Sequence, residues 1–344
     1  MDARKPKTIA VVLAGAVARG AFEAGVIRAL AEANVRIVQI IAASSGALNG
    51  TMLAAAVRDG KVPSVSETLK DLWLEHASWT EVFHAKPSAL IRGEGVSDQT
   101  KLRKLLHDHI QPSQLPADAE ISLRIMVAPL QGALGKIGDA PATTYEAFAD
   151  FDTTTFASQP ELDAMFTAAT ASAAFPIVFT PVEVGALGPC VDGGTVNNTP
   201  VAHALDGPFG DQLDAVVVVS TAVEQATKPA ELHGVGLIGH LAEMLIDERL
   251  YRDLREAVDV NTGLAALDTL VTTGQLTAAQ RDLVLAAIGW NGRRQIELIR
   301  IRPVTEIQGN AFSGFFDRQV RADLLDAGYQ RGHDVLKALG WLAQ

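Results

Sequence analysis

Two adjacent serines, Ser44 and Ser45, stand where the apolar run in "IIAASSGALNG" (residues 40–50) gives way to a helix-like stretch. A serine at such a junction either caps the helix with its hydroxyl or is raised on a strained strand-to-helix turn as a nucleophile. A nucleophile elbow needs small residues two positions to either side, because its backbone packs against neighbouring strands. Around Ser44 these are Ala42 and Gly46, an A-x-S-x-G frame; around Ser45 they are Ala43 and Ala47, a poorer fit. On this segment alone both readings stand.

A nucleophilic serine needs a base to take its proton. None of the eight histidines offers one by context. His203, His233, His240 and His333 read as helix or loop positions, and His107-Asp108-His109 reads as the solvated face of a charged helix. "CVDGGTVNNTP" (190–200) supplies a carboxylate instead. An apolar residue, Asp192 and the pair Gly193-Gly194 form a strand end and tight turn, which places the acid at a rim. A structural Asx-turn uses the same residue types. The close backbone, the preceding "AATASAAFPIVFTPVEV" run and the Asn197-Asn198-Pro200 group after it favour a functional turn.

The elements that must position these residues follow from periodicity. Thr8 to Leu13 is a β-rich run ended by Gly15; Phe22, Val26 and Leu30 recur at helical spacing; Val35 to Ile41 is a second strand; Leu48, Met52 and Ala56 share a helical face ending near Gly60. A βαβα order implies two parallel strands joined by a right-handed crossover. Ligands bind outside the carboxyl ends of such strands, where the Gly15 and Ser44 turns both lie. The two turns are expected to be neighbours. Further on, residues 64–110 read as mostly helical, interrupted by "HAKPSALIRGEG", and "ISLRIMVAPL" is a third strand. Residues 159–174 read as helix, "IVFTPVEV" and "DAVVVVST" as strands, and "LIRIRPV" as a late strand within a helical C-terminal part.

Composition excludes several classes of function. The chain has 344 residues, net charge −11 and no Lys/Arg-rich block, which argues against nucleic acid and against charge-driven recruitment to anionic lipid. Cys190 is the only cysteine, so no intrachain disulfide forms. No apolar run approaches the roughly 20 residues that span a bilayer. "RKPKTIAVVLAGAVARGA" has the outline of a secretory signal, but reads better as a first buried strand and its turn. Dinucleotide binding at "GAVARG" is weak, because the central glycine is missing and no acid follows the second strand suitably.

Taken together, "LAGAVARGAFEAGV", "AASSGALNG", "ATASAAFPIVFTPVEV" and "CVDGGTVNNTP" resemble the patatin-like phospholipases, which combine a glycine-rich oxyanion loop with an arginine, a G-x-S-x-G serine and a D-G-[GA] aspartate in this order. The resemblance spans about residues 7–220, with weaker support from "DLLDAGYQRGHDVL". It implies a three-layer α/β/α fold with a mainly parallel central sheet, a helical insertion and a helical C-terminal portion. It also implies a Ser–Asp dyad, with Ser44 as nucleophile and Asp192 as base, that cleaves acyl esters through an acyl-serine intermediate. By resemblance the oxyanion donors are Gly15, Ala16 and Val17, and Arg19 orients their loop. Three features depart from the family: its glycine triplet is Gly15-Ala16-Val17, its elbow glycine is Ala42, and its usual alanine after the serine is Ser45. A β-branched valine resists φ > 0 and narrows the space for substrate.

The expectation is therefore a lipid acyl hydrolase, with residues 7–225 as catalytic core and 226–344 as a mainly helical portion packed on it. The alternative is a weakly active or inactive lipid-binding or interaction protein of the same fold. No metal or other cofactor is implied. Expected partners are a lipid or acyl ester, with peripheral membrane contact and no nucleic acid; the expected location is cytoplasmic or at the membrane periphery. "NAFSGFF", with Phe312, Phe315 and Phe316, is a candidate for that contact, and core packing of the same rings is the alternative.

Overall fold

A computed structural model of the chain describes residues 5–85, 97–113, 117–137, 140–176, 178–223, 235–305, 307 and 309–342. Its first sixty residues form the expected βαβα unit: β1 (Lys7–Leu13), α1 (Gly20–Ala31), β2 (Val35–Ala42) and α2 (Ser45–Arg58), followed by α3 (Val62–Glu75). The remaining strands are β3 (His84–Ala85), β4 (Ser97–Asp98), β5 (Ser122–Pro129), β6 (Ala133–Ile137), β7 (Ala140–Thr144), β8 (Ala147–Asp152), β9 (Val182–Glu183), β10 (Pro189–Asp192), β11 (Ala215–Val219) and β12 (Glu297–Ile301). The central sheet runs β12-β11-β1-β2-β5-β10-β9, with β8 also paired to β5. Its β12, β11, β1, β2 and β5 pair in parallel, while β8, β9 and β10 are joined antiparallel.

Both faces of β1 are fully buried, which is why its sequence is a continuous apolar run rather than an alternating one. Ile9, Val11 and Leu13 point into a core with Phe22, Val26 and Leu30 of α1 and Leu53 of α2. Ala10 and Val12 point the other way, to Val216, Val218, Leu250 and Leu254. Leu250 and Leu254 belong to the long helix Val235–Thr272. These are the helical layers of an α/β/α sandwich. Lys7–Leu13, within the run that has the outline of a secretory signal, is an interior strand of the sheet, between β11 and β2.

The C-terminal helix, Arg318–Ala338, packs closely along α1 because glycines clear its path. A Cβ on Gly25 would lie 2.0 Å from the Leu325 carbonyl oxygen, and one on Gly328 2.0 Å from that of Phe22. This accounts for the "AGYQRG" spacing.

Two readings need correction. The expected strand "IVFTPVEV" is a strand only at Val182–Glu183, with Phe179 bridging Ser97. Pro181 breaks the run, since proline cannot donate to a ladder. Strands β6 to β8 were not expected at all; "ALGKI", "APATT" and "AFADFD" are too short and too poor in large apolar residues to announce themselves. Of "HAKPSALIRGEG", residues 86–95 lie outside the described ones.

Candidate active site

The site forms where β1, β2 and β10 end. Ser44 lies two residues past Ala42, the end of β2, and directly before Ser45, the first residue of α2, at φ 53° and ψ −131°. A non-glycine residue rarely adopts that backbone, and such strain concentrates at functional positions. The surroundings hold it there. The Ser44 N–H donates to Ser172 Oγ at 2.9 Å, and Ser172 in turn donates to the Met126 carbonyl at 2.6 Å. Ala43 N–H donates to Leu13 O, and Ala47 N–H to Ser44 O.

Small residues at the elbow are explained by distance. A Cβ on Gly46 would lie 2.5 Å from the Leu13 carbonyl oxygen, so glycine is required. Ala42, where the family carries glycine, is accommodated by a glycine elsewhere. A Cβ on Gly50 would already crowd the Ala42 methyl at 3.1 Å. The extra methyl of the strand is absorbed by the missing one on the helix.

Asp192 closes β10, 148 positions from Ser44 in sequence. Ser44 Oγ donates to its Oδ2 at 2.6 Å, and the Gly194 N–H donates to its Oδ1 at 2.7 Å. The carboxyl is 2% exposed. Burial pushes its pKa up to about 7, against the pull of the hydrogen bonds from Ser44 and Gly194. Both glycines of the turn are sterically required: a Cβ on Gly193 would meet the Met126 carbonyl at 2.1 Å, and one on Gly194 the Asn198 Oδ1 at 2.5 Å.

The Gly15 turn adjoins both. A Cβ on Gly15 would lie 2.3 Å from Ser44 Cβ and 2.4 Å from Asn198 Oδ1. Asn198 Nδ2 donates to the Gly15 carbonyl at 2.8 Å, which ties the turn after β10 to the turn after β1. Ala16 N–H donates to Ser45 Oγ at 3.1 Å. Val17 sits at φ 53°, despite its branched side chain. Arg19 donates through Nη2 to the Gly309 carbonyl.

Among the described residues, no histidine hydrogen-bonds to either member of this pair, although His76 lines the same cavity. Among the described residues, Ser44 Oγ has one side-chain partner, Asp192. His203 pairs with Glu146, His107 with Asp163, and His76 with Asp71. Among the described residues, no group of three or more His, Cys, Asp or Glu side chains could hold a metal ion. The Cys190 thiol is buried at 0% exposure, and burial raises its pKa to about 11.

From Ser44 and Asp192 a cavity opens that spans about 830 Å³ with its mouth included. Apart from the polar pair its lining is overwhelmingly apolar, with Leu48, Met52, Leu72, Phe83, Phe179 and Phe315 among the walls. A run of rings connects it to the surface: Phe315 meets Phe83 edge-on at 5.1 Å, Phe83 stacks on Trp79 at 3.9 Å, and Trp79 on Phe316 at 5.0 Å. The "NAFSGFF" stretch therefore divides. Phe315 is buried, whereas Phe316 is 68% exposed.

The Patatin family model, described as patatin-like phospholipase, matches residues 11–205, more than half of the chain and all three turns. The chain belongs to the patatin-like phospholipase family. Among curated proteins none matches it. The crystal structure of VipD from Legionella pneumophila is similar over 97% of this patatin-like chain and 67% of its own length, at 14% identity and a TM-score of 0.42. No described helix of the patatin-like chain is long and apolar enough to cross a membrane.

Five contributors carry no signal of this role in the sequence. Ser172 and Asn198 sit inside quoted runs, but nothing in their local pattern marks them as braces for Ser44 and Gly15. Ser45 was read only as a competitor of Ser44, whereas its hydroxyl accepts from the oxyanion-loop candidate. The carbonyls of Gly309 and Ala311 carry no side-chain signal at all.

Proposed function

We propose that this patatin-like protein is a serine acyl hydrolase that cleaves lipid acyl esters through a Ser44–Asp192 dyad. The observation that carries the reading is the 2.6 Å hydrogen bond between Ser44 Oγ, on a strained elbow, and a buried Asp192 carboxyl. Ser44 Oγ attacks the ester carbonyl as its proton passes to Asp192 Oδ2. The same proton then goes to the departing alkoxide, leaving acyl-Ser44. Water attacks the acyl group, gives its proton to Asp192, and Asp192 returns a proton to Ser44 Oγ.

A carboxylate with an ordinary pKa near 4 is a weak base. Burial raises that of Asp192 to about 7, which brings its proton affinity close to the operating pH. The remaining work falls to the oxyanion. Ala16 N–H is engaged by Ser45, so the donors we assign to the oxyanion are the N–H groups of Gly15 and Val17, for which no acceptor is found among the described residues. The N-terminus of α2 adds its positive dipole end beside Ser44. The apolar cavity is assigned to the acyl chain, and the exposed Phe316 to contact with a lipid surface.

We further assign the catalytic core to residues 7–225; the portion beyond supplies the edge strand β12 and the helix on α1. The test is hydrolysis of p-nitrophenyl esters of graded chain length by wild type and Ser44→Ala. Turnover that rises with chain length and vanishes in the variant supports the assignment. Equal turnover by both proteins refutes it.

A further inference from the structure

Val17 keeps φ 53° in a short turn that is gripped from both sides. On the upstream side, Ala16 N–H donates to Ser45 Oγ at 3.1 Å and Gly15 O accepts from Asn198 Nδ2 at 2.8 Å. On the downstream side, Ala18 N–H donates to the Ala311 carbonyl at 3.0 Å and Arg19 Nη2 to the Gly309 carbonyl at 2.7 Å. Gly314 lies against the same turn: a Cβ there would stand 3.1 Å from both the Cβ and the carbonyl oxygen of Ala18.

Residues 309–316 are themselves well anchored. Phe312 N–H donates to Asn310 Oδ1 at 2.9 Å, and Asn310 N–H to Ser313 Oγ at 2.9 Å. Arg321, 3% exposed, donates to the carbonyls of Gly314 and Leu74. This stretch falls outside residues 11–205, the part that matches the family. It nevertheless contacts the turn nearest Ser44.

We propose that Ser45 and the 309–316 segment act as a two-sided clamp that positions the oxyanion loop for ester hydrolysis by imposing the positive φ of Val17. The proposal rests on Ser44 being the nucleophile. Ser45 is a positioning residue in this scheme: its hydroxyl fixes Ala16 and leaves the next N–H, that of Val17, directed at the substrate oxygen. Ser45 is 6% exposed and lines the cavity. Without it, Ala16 N–H loses its acceptor and the valine relaxes toward negative φ, which it prefers. The C-terminal segment prevents the same relaxation from the other side.

The prediction is a coupling that a merely structural serine would not show. Wild type, Ser45→Ala, Val17→Gly and the double variant are compared on p-nitrophenyl butyrate, with kcat and KM measured separately and folding followed by Tm. Ser45→Ala is expected to lower kcat about tenfold with KM changed less than about threefold, the size of one lost buried acceptor. In the Val17→Gly background the same change is expected to cost less than about threefold, because glycine takes positive φ unaided. Gly314→Ala, which pushes on Ala18 from the C-terminal side, is expected to show the same relief by Val17→Gly. It carries the comparison if Ser45→Ala fails to fold. A Ser45→Ala variant with wild-type kcat, or equal losses in both backgrounds, overturns the clamp. Wild type that neither hydrolyses the ester nor takes a fluorophosphonate label at Ser44 overturns the nucleophile reading, and the clamp with it. An active, Ser44-labelled wild type unaffected by Ser45→Ala overturns the clamp alone.

Discussion

Ser44 and Val17 share a backbone angle, φ 53°, and among the described residues no other non-glycine residue has a positive φ. Both sit on turns at the carboxyl ends of adjacent parallel strands. Their supports differ. Ser44 is held by Ser172, Met126 and Leu13, all inside the family-matched stretch and all buried. Val17 is held by a neighbouring serine and by carbonyls almost 300 residues away. Strain of this kind costs roughly 1–3 kcal/mol and survives only where the surroundings over-determine it. The Ser44 turn is thus built into the sheet, whereas the Val17 turn depends on what is packed over it.

The largest effect breaks the first turn. Asp192→Asn is expected to lower kcat by about three orders of magnitude or more, because the amide cannot take the Ser44 proton. The fold should survive. Stability even gains at high pH: the folded pKa of about 7 lies above the unfolded value near 3.9, so the folded state binds more protons between them. The stability that the protonated carboxyl contributes is therefore full below about pH 4 and is lost as pH rises through about 7. Asp192→Asn removes that loss, so its Tm should exceed that of wild type at pH 8 and approach it at pH 4. A single His→Ala change with an equal loss of activity, His76 in the cavity wall included, would point to a different base.

Gly15→Ala strikes both turns together. Its methyl would have to displace Ser44 Cβ and the Asn198 amide. Overpacking of this kind costs about 1–3 kcal/mol, and the expected result is a lowered Tm and a kcat reduced by roughly 100-fold. Wild-type kinetics in this variant would show that the turns are not coupled.

A smaller effect separates base from oxyanion loop. The pH profile of kcat/KM should rise about tenfold per unit below about pH 7 and level off above it, as Asp192 becomes free to accept a proton. Val17→Gly should change the height of that profile and leave its midpoint in place. A midpoint moved by Val17→Gly would mean that the two turns act on one ionisation.

The smallest effect concerns Phe316, at the outer end of the segment that grips Val17. With 68% exposure it contributes little to the core. Phe316→Ser should weaken binding to zwitterionic liposomes several-fold, as about 25 cal/mol per Å² of apolar contact is lost, and leave Tm and short-chain ester hydrolysis unchanged. Liposome binding equal to that of wild type would remove this ring from any membrane contact.

Sequence periodicity was a good guide where both faces of an element are buried. The runs of β1, β2, β5 and β11 are apolar enough to declare strands, and βαβα order alone places the Ser44 and Gly15 turns side by side. The patatin-like fold is implied by the resemblance of the motifs, not by periodicity. The antiparallel strands β6 to β8 are hidden because they are short and an exposed apolar residue such as Leu134 blurs their pattern. In the site, glycine-rich turns were legible because close approach leaves a compositional mark. Hydrogen-bond braces from Ser172, Asn198 and Ser45 leave none, since serine and asparagine in a loop look the same whether or not they hold something. The raised pKa of Asp192 was equally invisible, being a property of what buries it. The departures at Ala42 and Val17 could be seen in sequence, but the space left by Gly50 and the grip of residues 309–316 exist only in three dimensions.

The central claim is that Ser44, and not its neighbour, is the nucleophile that Asp192 activates. Fluorophosphonate labelling followed by peptide mapping tests it most directly, with wild type, Ser44→Ala, Ser45→Ala and Asp192→Asn treated in parallel. The account predicts a single label on Ser44, absent in Ser44→Ala, still formed in Ser45→Ala and slowed by orders of magnitude in Asp192→Asn. A label on Ser45, or one that persists in Ser44→Ala, would contradict it.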